Sequence, residues 1–450
     1  MGKYQGYEKY KYFGVEWLGD IPKHWIRSVF RYYFDIQLGK MLQNEPQSPN
    51  DYEISYLKAI HVRWDKVDTD ELPKMWASPR DREKYYVKNG DLLISEGGEV
   101  GRTALLKELQ EDCIIQNALH RVRPLKHSSV EYLNYLMRHI ADTGWFDILC
   151  NKSTIAHLTS EKVGALALPL PPLDEQEKIA QFLDYKTKQI DELIKKKETL
   201  IEKLDEKRTA LISHAVTKGL DPSVPMKDSG IDWLGKIPKH WNLLPFRRLM
   251  DGTTQNGLYK SKEFFNESGT SFIQMGEAFA EPIISKTAKD RILITPAELE
   301  QWGLKKGDLI FARRSLVFEG SGKCSIVGDL SERHVYESSM IRVRLKTEIL
   351  NPLFAFFYFG SSFSRGQILS TTKQVTISGI DSQQLKSLSF VLPPIEEQEK
   401  IIKFIQKTNQ INQKSTNQIR QVIELLKEYR TSLITNAVTG KIDVREVAIP

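Results

Sequence analysis

Two stretches of this chain are near-copies of each other, and that duplication limits its possible folds more than any other feature. Residues 16–25 read EWLGDIPKHW and residues 232–241 read DWLGKIPKHW. Eight of ten positions are identical, one more exchanges acid for acid, and the spacing is 216 residues. LPPLDEQEKI at 170–179 returns as LPPIEEQEKI at 392–401, a spacing of 222. His214-Ala215-Val216-Thr217 returns as Asn436-Ala437-Val438-Thr439, again at 222. Three matches in one order at nearly one spacing define a tandem duplication. The period far exceeds the ~20–50 residues of solenoid repeats, so the repeated units are domains. Between the opening and closing matches the spacing grows by six, which places a net insertion of that size in the second copy.

Each copy follows one plan. The aromatic opening segment is broken by Pro22 or Pro238. A mixed stretch follows, with β-rich runs at Ile54–Leu57, Asp91–Ile94 and Ile114–Ile115 in the first copy. In the second copy the β-rich runs are Ser271–Met275, Asp308–Phe311 and Met340–Leu345. Asn89-Gly90 and Lys306-Gly307 supply turns before two of these runs. Helices are expected near Val130–Ile140 and Pro352–Phe359, the latter with Asn351 as cap and Pro352 in the first position. Pro171-Pro172 and Pro393-Pro394 then end the globular stretch.

Beyond the prolines the apolar period becomes helical. In the first copy Ile179, Leu183, Ile190, Leu193, Leu200, Leu204 and Leu211 form a heptad-like seam, interrupted by Lys186 and Lys197. In the second, Ile401, Ile405, Ile419, Val422, Leu426 and Leu433 do so, with a polar gap at Thr408, Asn412 and Ser415. Asp174 and Glu396 suit the positive start of each helix. Residues 174–214 and 396–436 would each span roughly 60 Å at ~1.5 Å per residue. Such a helix overshoots a domain of about 150 residues and leaves its seam uncovered. Two in one chain can cover each other, and an antiparallel pair with the globular domains at opposite ends is expected. The alternative is that each helix packs on its own domain. The expected division is 1–172, a first globular domain; 173–216, a long helix; 217–394, a linker and second globular domain; and 395–450, the second long helix with a tail. The class is α+β.

Composition narrows the function less. The net charge of +6, from 64 basic and 58 acidic residues, is compatible with a polyanionic partner without requiring one. No stretch approaches the ~18–20 apolar residues of a membrane span. The residues after Met1-Gly2-Lys3 do not form a signal peptide, so a cytoplasmic location is expected. Cys113, Cys150 and Cys324 are isolated and read as small buried hydrophobes, with no basis for a structural zinc. Asn351–Phe354 resembles a methyltransferase NPPF loop but has Leu353 for the second proline and no glycine-rich loop upstream. Glu319–Cys324 resembles a phosphate loop but has Val317 for its first glycine and no Ser/Thr after Lys323. Gly97–Gly101 is too short for a dinucleotide fingerprint. No catalytic constellation emerges.

The opening WLG-IPKHW, the GDLL- or GDLI-type turn and strand, and LPP-x-x-EQEKI at the start of a long helix occur twice. Together they resemble the DNA specificity subunits of type I restriction-modification enzymes over about residues 12–443. The resemblance implies a non-catalytic subunit with two target recognition domains, each reading one half of a split sequence in double-stranded DNA. It implies that the helices form a spacer and dock two methyltransferase (modification) subunits, with restriction (nuclease-translocase) subunits joining the full complex. No cofactor is then expected on this chain. S-adenosylmethionine, ATP and magnesium belong to the partners. A ~60 Å rod matches roughly 18 base pairs at ~3.4 Å each. Because the two middles differ, the target should be asymmetric. A coiled-coil scaffold without sequence reading is the rival; it leaves the two unlike β-containing domains unexplained.

Base and phosphate contacts call for Arg, Lys, Asn, Gln and hydroxyl groups. The candidates are Lys40, Arg80, Arg82, Arg102, Lys152, Ser153 and Thr154 in the first domain. In the second they are Lys260, Lys262, Arg313, Arg314, Lys323, Lys373 and Gln374. Residues 152–158 and 373–380 occupy equivalent places before short helices, whose starts suit phosphate.

Overall fold

The Pro-Pro pairs start the two longest elements. In the computed structural model, which describes residues 4–15, 18–150, 157–372 and 378–449, the long helices span Leu173–Lys218 and Ile395–Val438. The carbonyls of Pro172 and Pro394 accept from the N–H groups of Gln176 and Gln398 at 2.9 and 3.0 Å, which begins each helical ladder. Each helix is followed by a glycine in the left-handed region, Gly219 (φ +83°) and Gly440 (φ +68°). No described helix is long and apolar enough to cross a membrane.

The chain divides into two compact units, residues 1–197 with 420–450, and residues 198–419. Each unit therefore holds one globular stretch, half of one long helix and half of the other. In the first unit, Ile179, Phe182, Leu183 and Ile190 share a core with Leu433, Ile434, Ala437 and Val438. Arg430 donates to Asp191 there at 3.0 Å. In the second unit, Ala215 and Val216 share a core with Ile401, Ile402 and Ile405. Early residues of one helix meet late residues of the other in both units, so the paired segments run antiparallel.

The seam departs from the expected one at four places. Ile179, Leu183, Ile190, Ile401, Ile405 and Leu433 are buried, and Leu204, Ile419 and Leu426 are half-buried. Leu193, Leu200, Leu211 and Val422 are exposed, at 37–41%. Their neighbours Ile194, Ile201, Ile212 and Ile423 face inward instead. Each of the four has an apolar residue directly after it, and successive helical residues point about 100° apart, so only one of each pair can face the partner. In the first helix the inward row is 183, 187, 190, 194, 197, 201, 204 and 208, in strict steps of four and three. It runs through Thr187, Lys197 and Arg208, so counting apolar residues alone slips the phase.

The two globular stretches share a strand plan. In the first unit an antiparallel sheet has the order Thr103–Leu105, Leu92–Ser95, Leu119–Pro124, Phe34–Leu38. Beside it, Tyr52–Leu57 pairs parallel with Cys113–Ile115 and antiparallel with Lys74–Ala77. In the second unit the main sheet runs Ile283–Ile284, Cys324–Val327, Leu309–Ala312, Met340–Val343, Gln255–Asn256. Its companion pairs Phe265–Ile273 parallel with His334–Tyr336 and antiparallel with Asp290–Ile292. Met275 opens a helical turn, Met275–Ala278, instead of ending the strand expected there. The helices Val130–Asp142 and Pro352–Phe359 lie where expected, and Asn351 accepts from the Leu353 N–H at 2.9 Å. Cys113 and Cys150 are buried and Cys324 is half-buried.

Candidate nucleic-acid interface

The repeated motifs fasten domain to helix. Glu175 accepts from Tyr7 Oη at 2.6 Å and Trp25 Nε1 at 2.8 Å, and lies 2.8 Å from His24 Nε2. Glu397 accepts from Trp241 Nε1 at 2.8 Å and lies 2.6 Å from His240 Nε2. The next residue serves the adjoining helix. Gln176 accepts from the Ser129 N–H at 2.9 Å and Gln398 from the Asn351 N–H at 2.8 Å. Both donors belong to N-cap residues. His-Trp and Glu-Gln are thus two halves of one joint, built once in each unit.

A second duplicated device sits inside each sheet. Asp91 accepts a bidentate pair from Arg123 at 2.6 and 2.7 Å, and its other neighbour Arg121 donates to the Tyr86 carbonyl at 2.8 Å. Asp308 accepts from Arg344 at 3.1 Å, while Arg342 and Arg344 both reach the Gly303 carbonyl at 3.0 Å. Each aspartate also caps its turn, from the N–H of Lys88 at 2.9 Å and of Lys305 at 3.0 Å. The bond to Asp91 holds the Arg123 guanidinium above its usual pKa, and burial pushes the Asp308 carboxyl up. These arginines, in Arg121-Val122-Arg123 and Arg342-Val343-Arg344, anchor the C-terminal end of a short helix to the sheet. They repeat at a spacing of 221, a signal that the sequence carries outside the longer repeated motifs.

At one end of each main sheet three loops converge. In the first unit, Gly39 donates to the Leu119 carbonyl at 3.0 Å and Lys40 to Ile115 at 2.8 Å. In the second, Gly257 donates to Met340 at 3.0 Å and Leu258 to Tyr336 at 2.8 Å. Both glycines press on the opposing chain so closely that an added Cβ would sit 2.3 Å from the Gln116 carbonyl oxygen and 2.1 Å from that of Glu337. The third loop joins the same turn, through Glu96 N–H to Ala118 at 2.9 Å and Arg313 N–H to Ser339 at 2.8 Å. This third loop runs over residues 96–102 in the first unit and 313–323 in the second. The matched positions Leu92 and Leu309 are 217 apart, whereas Cys113 and His334 are 221 apart, so four residues of the net insertion fall here.

The predicted contact residues separate into three groups. Lys40 pairs with Asp81 at 3.1 Å, and Lys260 pairs with Glu298 at 2.7 Å. Both acids close capping boxes on matching helices, Pro79–Tyr85 and Pro296–Trp302. Arg82 pairs with Asp112, Arg102 bonds the Ala59 carbonyl at 2.8 Å and Glu99 at 3.1 Å, and Lys323 bonds the Phe279 carbonyl at 3.0 Å. Arg80, Lys262 and Arg314 are exposed and have no ion pair among the described residues, and Arg313 reaches the Ser338 carbonyl at 3.2 Å. Arg313 and Arg314 stand on the converging loops. Lys152, Ser153, Thr154, Lys373 and Gln374 lie outside the described residues. The glycine-bearing stretches at 97–101 and 320–322 are loops of this same edge, with Gly101 packed near Phe146 and Gly322 near Ile368.

The profile described as "Type I restriction modification DNA specificity domain" matches residues 78–203 and 253–425. The chain belongs to that family. It is a specificity subunit, the non-catalytic DNA-recognition component of type I restriction-modification systems. It is 25% identical over 301 residues to the MjaVIII specificity subunit of Methanocaldococcus jannaschii, covering 65% of this chain and 66% of that protein. It is 23% identical over 440 residues to the EcoKI specificity subunit of Escherichia coli, covering 94% and 90%. The chain thus spans about two thirds of the first relative and nearly all of the second. In fold it is similar to a chain solved in work on assembly and conformational transition of the type I R-M system, with a TM-score of 0.69, 14% identity, and 93% and 98% coverage. The HsdS subunit from Thermoanaerobacter tengcongensis follows at 0.55, 15%, and 94% and 98%. The two matched segments each run from a globular domain into the first part of a long helix, to residues 203 and 425, so the match includes both joint glutamates and omits both aromatic opening segments.

Proposed function

We propose that this specificity subunit reads an asymmetric, bipartite duplex target, one half with each loop edge. The observation that carries the reading is internal to the chain. The joints and the Asp–Arg anchors repeat in chemistry and position, whereas the edges differ in length, charge and tip residues. A shared scaffold with unlike edges suits two unlike half-sites, and Arg313 and Arg314 supply base- and phosphate-directed donors on the second edge. The exposed apolar side chains on the long helices, Leu193, Leu200, Leu211, Ile411, Val422 and Leu425, support docking of methyltransferase subunits there. S-adenosylmethionine, ATP and magnesium are assigned to those partners and to nuclease-translocase subunits. The test is to co-express the chain with its cognate methyltransferase subunit and map methylated adenines genome-wide. A split motif with two different halves is expected. Complex formation without new methylation would overturn the reading.

A further inference from the structure

Gly39-Lys40-Met41 and Gly257-Leu258-Tyr259 occupy the same place in the two units, at a spacing of 218. The backbone is fixed just before the third residue in both units. In the second unit Leu258 is hydrogen-bonded to Tyr336, and Lys260 is held by Glu298 and lies over the Phe264 ring at 4.4 Å. In the first, the Lys40 N–H and C=O are both bonded, to Ile115 at 2.8 Å and Asn117 at 2.9 Å, and its ammonium is held by Asp81. Just beyond these fixed points, Tyr259 is 81% exposed and Met41 is 75% exposed. A lone exposed apolar residue is ordinary. Two at matching tips of one rigid hook, with the side chain changed between copies and the hook kept, are a different case. The hook in the second unit closes on turn 337–339, which also holds Arg313 through Ser338 and Ser339. A cation and an aromatic tip therefore leave the same turn.

We infer that Tyr259 and Met41 are specificity-determining tips that insert against the base stack, one in each half-site. This rests on the proposed reading of DNA. Apolar side chains wedge between base steps and partly unstack them, and aromatic rings stack on exposed base faces. They also discriminate by contact with the thymine methyl group. Arg313 and Arg314 hold the backbone while Tyr259 meets the bases. Loop edges with different tips then prefer differently deformable steps.

The test uses the chain assembled with its methyltransferase subunits on duplexes carrying the mapped target, with 2-aminopurine placed at each step of either half-site. The wild-type complex is expected to raise 2-aminopurine fluorescence at one step per half-site. Tyr259→Ala should abolish the rise in the second half-site only and weaken target binding about ten- to hundred-fold. Its salt slope, non-specific binding and melting temperature should stay at wild-type values, and Tyr259→Phe should restore the signal. Met41→Ala should do the same in the first half-site. Wild-type fluorescence and affinity in both alanine variants would overturn the inference while leaving DNA reading intact. Absence of salt-dependent DNA binding by the wild-type complex would overturn both.

Discussion

Glu175 and Glu397 hold the same place in the two copies, yet their surroundings differ. Glu175 is 3% exposed with three donors around it, whereas Glu397 is 36% exposed with two. The difference comes from Tyr7, which covers the first joint and is itself faced by Arg445 from the C-terminal tail, its ring 5.1 Å away. Ser223 stands at the matching place in the second copy. The Asp–Arg anchors vary in the same direction, with shorter contacts around Asp91 than around Asp308. Identical sequence therefore preserves the connection at a joint but not its strength. The loop edges teach the reverse. There the backbone hook is kept and the side chains change, from half-buried Glu96 and exposed Met41 in one unit to half-buried Arg313 and exposed Tyr259 in the other.

Three sets of substitutions sharpen this contrast. Asp91→Asn should have the largest effect, about 3 kcal/mol, because it leaves the half-buried Arg123 guanidinium against a neutral group. Asp308→Asn should cost less, since burial has already raised that carboxyl and its arginines share the Gly303 carbonyl. Hydrogen exchange in strands Leu92–Ser95 and Leu309–Ala312 reads each site separately. Equal acceleration in both would break the comparison. Next, Glu175→Ala should destabilise the first unit by about 2–3 kcal/mol, because it strands the Tyr7 hydroxyl and Trp25 N–H. Glu397→Ala should cost about 1 kcal/mol or less in its wetter setting. Denaturant titration followed by exchange near each joint is the measurement. Smallest in stability, and confined to DNA binding, is Arg313→Ala with Arg314→Ala. The double variant should melt like the parent and lower the salt slope of binding by up to about 2. An unchanged slope would remove both arginines from the phosphate-contact set.

Much of the frame was legible because its signals are local or repeated. Pro352–Phe359 was bounded correctly by Asn351 and Pro352, whose capping chemistry acts over two residues. The duplicated motifs mark the segments from which both joints are built. What sequence alone could not resolve was phase and pairing over distance. Leu193 and Ile194 are both apolar and adjacent, so only the packed helices decide which faces inward. Lys40 and Lys260 look available for phosphate, but Asp81 and Glu298, 41 and 38 residues away, take up their charge. Tyr259 carried no motif. Its significance depends on the pinned Leu258 backbone and the Lys260–Glu298 pair beside it, which only the fold displays.

The central claim is that the edges, and not the shared joints and helices, hold the specificity. The most direct test replaces the second reading domain with a copy of the first, keeping both long helices and both joints, and maps methylated adenines made with the cognate methyltransferase subunit. The prediction is a two-part target whose halves are now the same sequence in inverted orientation. Retention of the parent's asymmetric motif would contradict the account.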